Sequence, residues 1–202
     1  GYNSKFVEVN RGFLDEEELS LLQNKELKIE RIALVRDVFL FSCYTGLSFI
    51  DAFNLTKGNI GIGIDGNKWI FTARQKTKIA SHIPLLPIAE DIIKRYEKHP
   101  MCAISGKLLP VLSNQKMNAY LKEIADLCEI TKELTFHNAR HTFATTVTLS
   151  NGVPIESVSK MLGHKSIKTT RHYAKILDKK VSDDMAFFRE RLKVNEKIKR
   201  LG

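Results

Sequence analysis

Between residues 60 and 85 lie three short runs rich in β-formers, Ile60 to Ile64, Lys68 to Ala73 and Ser81 to Leu85. Gly66-Asn67 and Lys76-Thr77-Lys78 separate them, so the pattern predicts a three-stranded antiparallel sheet. Everything around them has helical character. Leu14-Asp15 followed by Glu16, Glu17 and Glu18 opens a helix, with Asp15 as N-cap and the acids at the positive helix end. A second helix is expected from Arg31 to Tyr44, where Ile32, Val35, Phe39 and Cys43 recur at three and four, and Gly46 supplies a left-handed C-terminal turn. A short helical turn follows over Phe49 to Asn54. Further helices are predicted over Ala89 to Lys98, Asn114 to Cys128, His137 to Ser150, Ile155 to Met161, Ile167 to Ala174 and Lys180 to Leu192. The fold class is therefore mainly α with one small antiparallel sheet.

The 202 residues, 43% of them hydrophobic, suffice for one domain with a real core, which excludes a disordered or collagen-like chain. The richest apolar stretch, Ala33 to Phe53, is broken by Arg36, Asp37 and Asp51, so no membrane span is expected. Cys43, Cys102 and Cys128 form no metal-binding or disulfide pattern and read as reduced thiols of a cytosolic protein. The net charge is +9, and its excess is concentrated: residues 160–202 hold 13 basic and 5 acidic side chains. Such a segment is either a solvated lysine-rich helix or a surface for a polyanion. Gly61-Ile62-Gly63-Ile64-Asp65-Gly66 spells a dinucleotide-binding motif, but a strand follows where a helix is required. A hairpin turn explains these glycines, and no cofactor is expected.

His137-Asn138-Ala139-Arg140-His141 places His137, Arg140 and His141 on one side of a helix. A zinc site of the H-E-x-x-H kind would need a glutamate where Asn138 stands, which argues against a metal. His141 suits a buried structural place. His137 and Arg140 suit a phosphate, the guanidinium offering two parallel hydrogen bonds. The stretch Met161 to Ala174 adds His164, the bases Lys165, Lys168 and Arg171, and Tyr173. Read locally, it is a helix ending at Gly163, a tight turn and a helix capped by Ser166, an outline that also fits a helix-turn-helix.

Together, H-x-x-R-H-T-F-A-T at His137 to Thr145 and L-G-H-x-S-I-x-T-T-x-x-Y-A at Leu162 to Ala174 resemble the tyrosine recombinases, or phage-integrase family. The resemblance runs from about Phe13 to Leu192 and implies that family's catalytic-domain fold. It implies Tyr173 as the nucleophile that forms a 3′-phosphotyrosine, Arg140 and His137 as the pair acting on the transition state, and His164 as a phosphate contact. Lys76, at the turn after the second strand, matches the lysine that protonates the leaving 5′-oxygen, and Asp51 matches an acidic orienting position. The exposed bases Lys165, Lys168 and Arg171 become DNA-binding candidates. The implied partner is double-stranded DNA, bound by a homo-tetramer on paired sites with the possible help of DNA-bending proteins, in a bacterial cytoplasm and without metal or cofactor.

One position departs from the pattern. The family has its first arginine in T-G-L-R-x-x-[DE], whereas this chain reads Thr45-Gly46-Leu47-Ser48-Phe49-Ile50-Asp51. Serine donates one neutral hydrogen bond and carries no charge. Arg74, two residues before Lys76 and expected on the same strand face, is the candidate replacement. Residues 1 to 12 are expected to be a linker from an N-terminal DNA-binding region, and 13 to 202 a single catalytic domain with a basic C-terminal segment. A type IB topoisomerase and a non-catalytic helix-turn-helix protein are the alternative functions.

Overall fold

A computed structural model describes residues 12–201. The expected linker at residues 1 to 12 therefore lies, but for Gly12, outside the described residues. Helix α1 (Glu16–Asn24) starts at Asp15, whose side chain accepts from the Glu18 amide while Glu18 reaches back to the Asp15 amide. Helix α2 (Glu30–Thr45) ends at Gly46 in the left-handed conformation (φ +73°). Its apolar residues are buried nearly all round, Leu34, Val38, Leu40 and Phe41 as well as the predicted stripe, so it forms the centre of the domain. Helices α4 (Pro87–Tyr96), α6 (Asn114–Leu127) and α7 (His137–Thr142) pack on it.

Strands β1 (Ile60–Ile62), β2 (Lys68–Ala73) and β3 (Ala80–Pro84) form the expected antiparallel sheet in the order β1-β2-β3. Ile70 pairs with Ile83, and both are fully buried on the core face. Trp69, Phe71 and His82 line the other face, their rings in contact along it. The glycines of the nucleotide-like motif sit in β1 and its turn, Gly61 and Gly63 leaving room for the Phe71 and Trp69 rings.

Several expectations are corrected. β1 ends at Ile62 rather than Ile64, and β3 is shifted one residue earlier, to Ala80–Pro84. A short helix not foreseen, α5 (Pro100–Ser105), follows His99, whose ring accepts the Met101 amide. The segment expected as one helix from His137 to Ser150 is α-helical only to Thr142, then wider (π) over 143–148 and 3-10 over 149–151. Threonine explains part of this: Thr142, Thr145 and Thr148 each turn a hydroxyl back onto a carbonyl of the preceding turn, which loosens the regular ladder. After α8 (Ile155–Met161), the two helices expected around Ile167 to Ala174 and Lys180 to Leu192 are a single helix, α9 (Ile167–Leu201). No glycine or proline between Ala174 and Lys180 interrupts it.

Asp37 on α2 is 2% exposed and takes Arg36 Nε at 2.7 Å, Arg95 Nη1 at 2.6 Å and the Tyr96 hydroxyl at 2.8 Å. The cluster ties α2 to α4, and Arg36 also closes the end of α1 through the carbonyls of Leu22 and Lys25. Asp37→Ala leaves these donors without their anion, and breaking such a buried pair costs about 3–5 kcal/mol. Chemical denaturation is expected to show a loss of that size.

Candidate active site

The site is assembled where the sheet meets the end of α8. The last carbonyls of a helix have no partner within it, and here the β2–β3 hairpin and α7 supply the donors. The Ser81 hydroxyl donates to the Met161 carbonyl, and the Thr77 hydroxyl to the Gly163 carbonyl at 3.5 Å. The Leu162 carbonyl between them accepts from Arg140 Nη2 at 2.6 Å and from Arg74 Nη1 at 3.2 Å. Two guanidinium groups from distant parts of the chain thus meet on one oxygen. Gly163 allows this approach: it adopts φ +61°, and a Cβ there would come within 2.6 Å of Arg74 Cγ.

Arg140 is 5% exposed and is further held by the Gly46 carbonyl at 2.8 Å and by His164 Nε2 at 3.0 Å. Gly46 sits beneath Phe143 and Leu162, and a Cβ would come within 2.5 Å of the Phe143 ring. Burial, then the charge of Arg74, pulls the Arg140 pKa down to about 10, while Tyr173 and Asp51 favour its charged form. Two guanidinium groups held this close repel one another, a repulsion that Asp51 offsets in part.

Arg74 lies 2.8 Å from Asp51 Oδ2 through Nε, an ion pair whose N–H is not aligned as a hydrogen bond. Asp51 is nearly fully buried; its Oδ1 accepts the Gln75 amide at 2.8 Å, and its Oδ2 accepts the Ser48 hydroxyl at 2.6 Å. Ser48 is also the N-cap of α3 (Phe49–Asn54). Position 48 and Arg74 therefore converge on the same carboxylate oxygen.

The expectation that Arg74 and Lys76 share a strand face is corrected. The ladder ends at Ala73, and the chain turns over residues 75–77, so Arg74 is drawn inward while Lys76 stands exposed at the hairpin tip. His137 is exposed at the start of α7, its ring edge against His141 (centroids 4.5 Å apart). His141 is 3% exposed, and its ring neighbours Tyr173 at 5.4 Å. Tyr173, on the second turn of α9, is 6% exposed and packs with Phe143, Leu149, Val158 and Leu162. Lys165, Lys168 and Arg171 are exposed around the start of α9. His137, Arg140, His164, Arg74 and Tyr173 thus lie around the α7–α8–α9 junction, with Lys76 on the hairpin beside it. Among the described residues no cluster of side chains could hold a metal ion, and no helix is long and apolar enough to cross a membrane.

Reading by motif passed over Thr170, which is fully buried with its hydroxyl 2.8 Å from His164 Nδ1. It also passed over the backbone carbonyls that aim the arginines. The repeated threonine of the second motif was the available signal.

His164 is half-buried, and burial, followed by the charges of Arg140 and Arg74, lowers its pKa to about 4. The unfolded chain takes up this proton near the ordinary value of about 6.5 and the folded chain only near 4, so stability falls as pH drops through that window. The thermal midpoint of the native chain is expected to fall more steeply between pH 6.5 and 4 than that of His164→Gln.

Compared with known families, residues 13–180 match the model of the phage integrase family. The chain belongs to that family. Among curated phage-integrase-like relatives, it is 40% identical over 80 residues to tyrosine recombinase XerD of Halalkalibacterium halodurans, covering 40% of this chain and 26% of that protein. It is 29% identical over 140 residues to tyrosine recombinase XerC of Rickettsia canadensis, covering 65% of this chain and 43% of that protein. The chain thus spans less than half the length of these relatives. Among solved structures, XerH site-specific recombinase in a post-cleavage complex with palindromic difH substrate superposes with a TM-score of 0.67 at 19% identity, over 89% of this chain and 54% of that one. A lambda integrase dimer bound to a COC′ core site gives 0.61 at 16% identity, over 80% and 58%. At these identities the superpositions show the fold, which is that of tyrosine recombinase catalytic domains.

Proposed function

We propose that this chain is the catalytic part of a site-specific DNA recombinase, an integrase of a mobile element, that cuts and rejoins double-stranded DNA through a 3′-phosphotyrosine. The observation that carries this reading is the meeting of Arg140 and Arg74 on the Leu162 carbonyl, beside His164 and the buried Tyr173. A phosphate seated there takes charge-assisted hydrogen bonds from two guanidiniums. The Tyr173 oxygen attacks phosphorus, the Oη–P bond forms as the P–O5′ bond breaks, and Lys76 gives a proton to the departing 5′-oxygen. His137 assists the proton leaving tyrosine. Phosphodiester energy is kept in the ester, and because phenol has a pKa of roughly 10 the ester is readily attacked by a second 5′-hydroxyl.

Arg74 takes the part of the family's first arginine. The support is that position 48, where that arginine would stand, and Arg74 share the Asp51 carboxylate. Exposed Lys165, Lys168 and Arg171 hold flanking phosphates, so binding weakens with salt.

The enzyme works as a tetramer on paired sites. In support, Val181, Met185, Phe188 and Leu192 form an exposed apolar stripe on α9, and an apolar cavity of about 840 Å³ opens beside His164.

The test is covalent trapping of the protein on nicked duplexes selected for binding from a random-sequence library. A denaturant-resistant protein–DNA adduct is expected. Binding with no adduct by the full-length protein would favour the helix-turn-helix reading instead, and relaxation of supercoils by a monomer with no synaptic complex would favour the topoisomerase.

A further inference from the structure

Thr170 sits three residues before Tyr173, in the first turn of α9, and its side chain is completely buried. Its hydroxyl is 2.8 Å from His164 Nδ1, while the other ring nitrogen, Nε2, is 3.0 Å from Arg140 Nη2. A guanidinium has donors only, so Nε2 must be the acceptor in that contact. A neutral imidazole then carries its proton on Nδ1 and donates it to Thr170 Oγ1. The hydrogen-bond partners therefore settle which tautomer the free protein holds.

We infer that Thr170 is a positioning residue that accepts the Nδ1 proton of the tautomer Arg140 selects, holds the His164 ring in place and couples it to the helix carrying Tyr173. The chemistry calls for a hydroxyl at this place. When an anion draws Arg140 Nη2 away, His164 can offer a hydrogen bond to the anion only with a proton on Nε2. That state arises by uptake of a second proton, with Nδ1 still donating to Thr170, or by transfer to the other tautomer, with Nδ1 accepting from Thr170. A threonine hydroxyl both donates and accepts, so it satisfies Nδ1 in each state. Valine, of the same shape, satisfies none. Carbonyls and carboxylates would accept from Nδ1 in the resting tautomer and in the doubly protonated ring but could not donate, and so would bar transfer to the other tautomer. Because Thr170 and Tyr173 are neighbours on one face of α9, a change at the His164 ring is felt at the nucleophile's helix.

The role in strand cleavage rests on the recombinase reading; the tautomer itself does not. The first measurement is therefore made without DNA, by ¹⁵N NMR of the histidine rings of the 202-residue chain, with His164→Gln assigning the signal. The expected result at neutral pH is a protonated Nδ1 and an unprotonated Nε2, with the Nδ1 signal shifted by loss of its hydrogen bond in Thr170→Val and retained in Thr170→Ser. An Nε2-protonated ring in the native chain, or a ring indifferent to Thr170→Val, overturns the inference whatever the protein's activity. The second measurement is the single-turnover rate of adduct formation on the nicked duplex. Removing the hydrogen-bond partner that orients a metal-bound histidine costs about 10- to 100-fold, and a loss of the same order is taken for the orienting partner of His164. That loss is expected for Thr170→Val with DNA affinity unchanged, and recovery in Thr170→Ser; equal rates in the two variants contradict it.

Discussion

Arg74→Ala is expected to slow covalent cleavage by about 10²- to 10³-fold, the usual cost of removing one preorganised donor from a developing charge. DNA affinity should change little, because on the proposed reading the exposed bases around the start of α9 hold flanking phosphates independently of Arg74. Serine at position 48 keeps two structural tasks, capping α3 and donating to Asp51, yet brings no charge. In the proposed reaction the cation comes instead from the β2–β3 hairpin, where Asp51 and the end of α8 aim Arg74 at the place where Arg140 already points. Two variants follow from this geometry. Ser48→Arg introduced into Arg74→Ala is expected to restore much of the lost rate, since its side chain starts beside the same Asp51 oxygen. Asp51→Asn alone is expected to lower the rate by loosening Arg74. Undiminished cleavage by Arg74→Ala would remove Arg74 from the reaction.

Tyr173→Phe has the larger expected effect, complete loss of the covalent adduct. It removes the oxygen proposed to form the ester while leaving the ring that packs with Phe143, Leu162 and His141. Folding should therefore be nearly unchanged, and binding to the duplex retained. That separation of binding from chemistry is what distinguishes a nucleophile from a core tyrosine. A variant that still forms adduct would mean that another residue attacks.

Local chemistry made much of the fold legible. The three strands, the Asp15 cap and the Gly46 turn all rest on near-neighbour preferences, and each appears close to where the sequence puts it. Helix α2 was found, but its burial all round was not, since that depends on being surrounded by α4, α6 and α7. The break from α to wider helix after Thr142 and the fusion of two helices into α9 were likewise hidden, one in threonine hydroxyls and the other in the absence of any breaker.

The site was legible to the extent that motifs name residues. Arg140, His164 and Tyr173 could be singled out in this way, and Arg74 by asking what replaces a missing charge. The motifs could not say that Arg74 leaves the strand and turns inward, because that follows from the unpaired carbonyls at the end of α8. Nor could they show Gly163 as the opening that lets Arg74 in, or Thr170 as the partner of His164. The approach of Arg74 depends on residues separated by 80 positions or more meeting in space, whereas Thr170 and His164 are near neighbours whose contact depends on how the turn between α8 and α9 folds.

The decisive measurement is to digest the trapped protein–DNA adduct and map the attachment by mass spectrometry. The account predicts a single peptide carrying a nucleotide 3′-phosphate on the oxygen of Tyr173. Attachment at any other side chain, or through a 5′-phosphate, would contradict it.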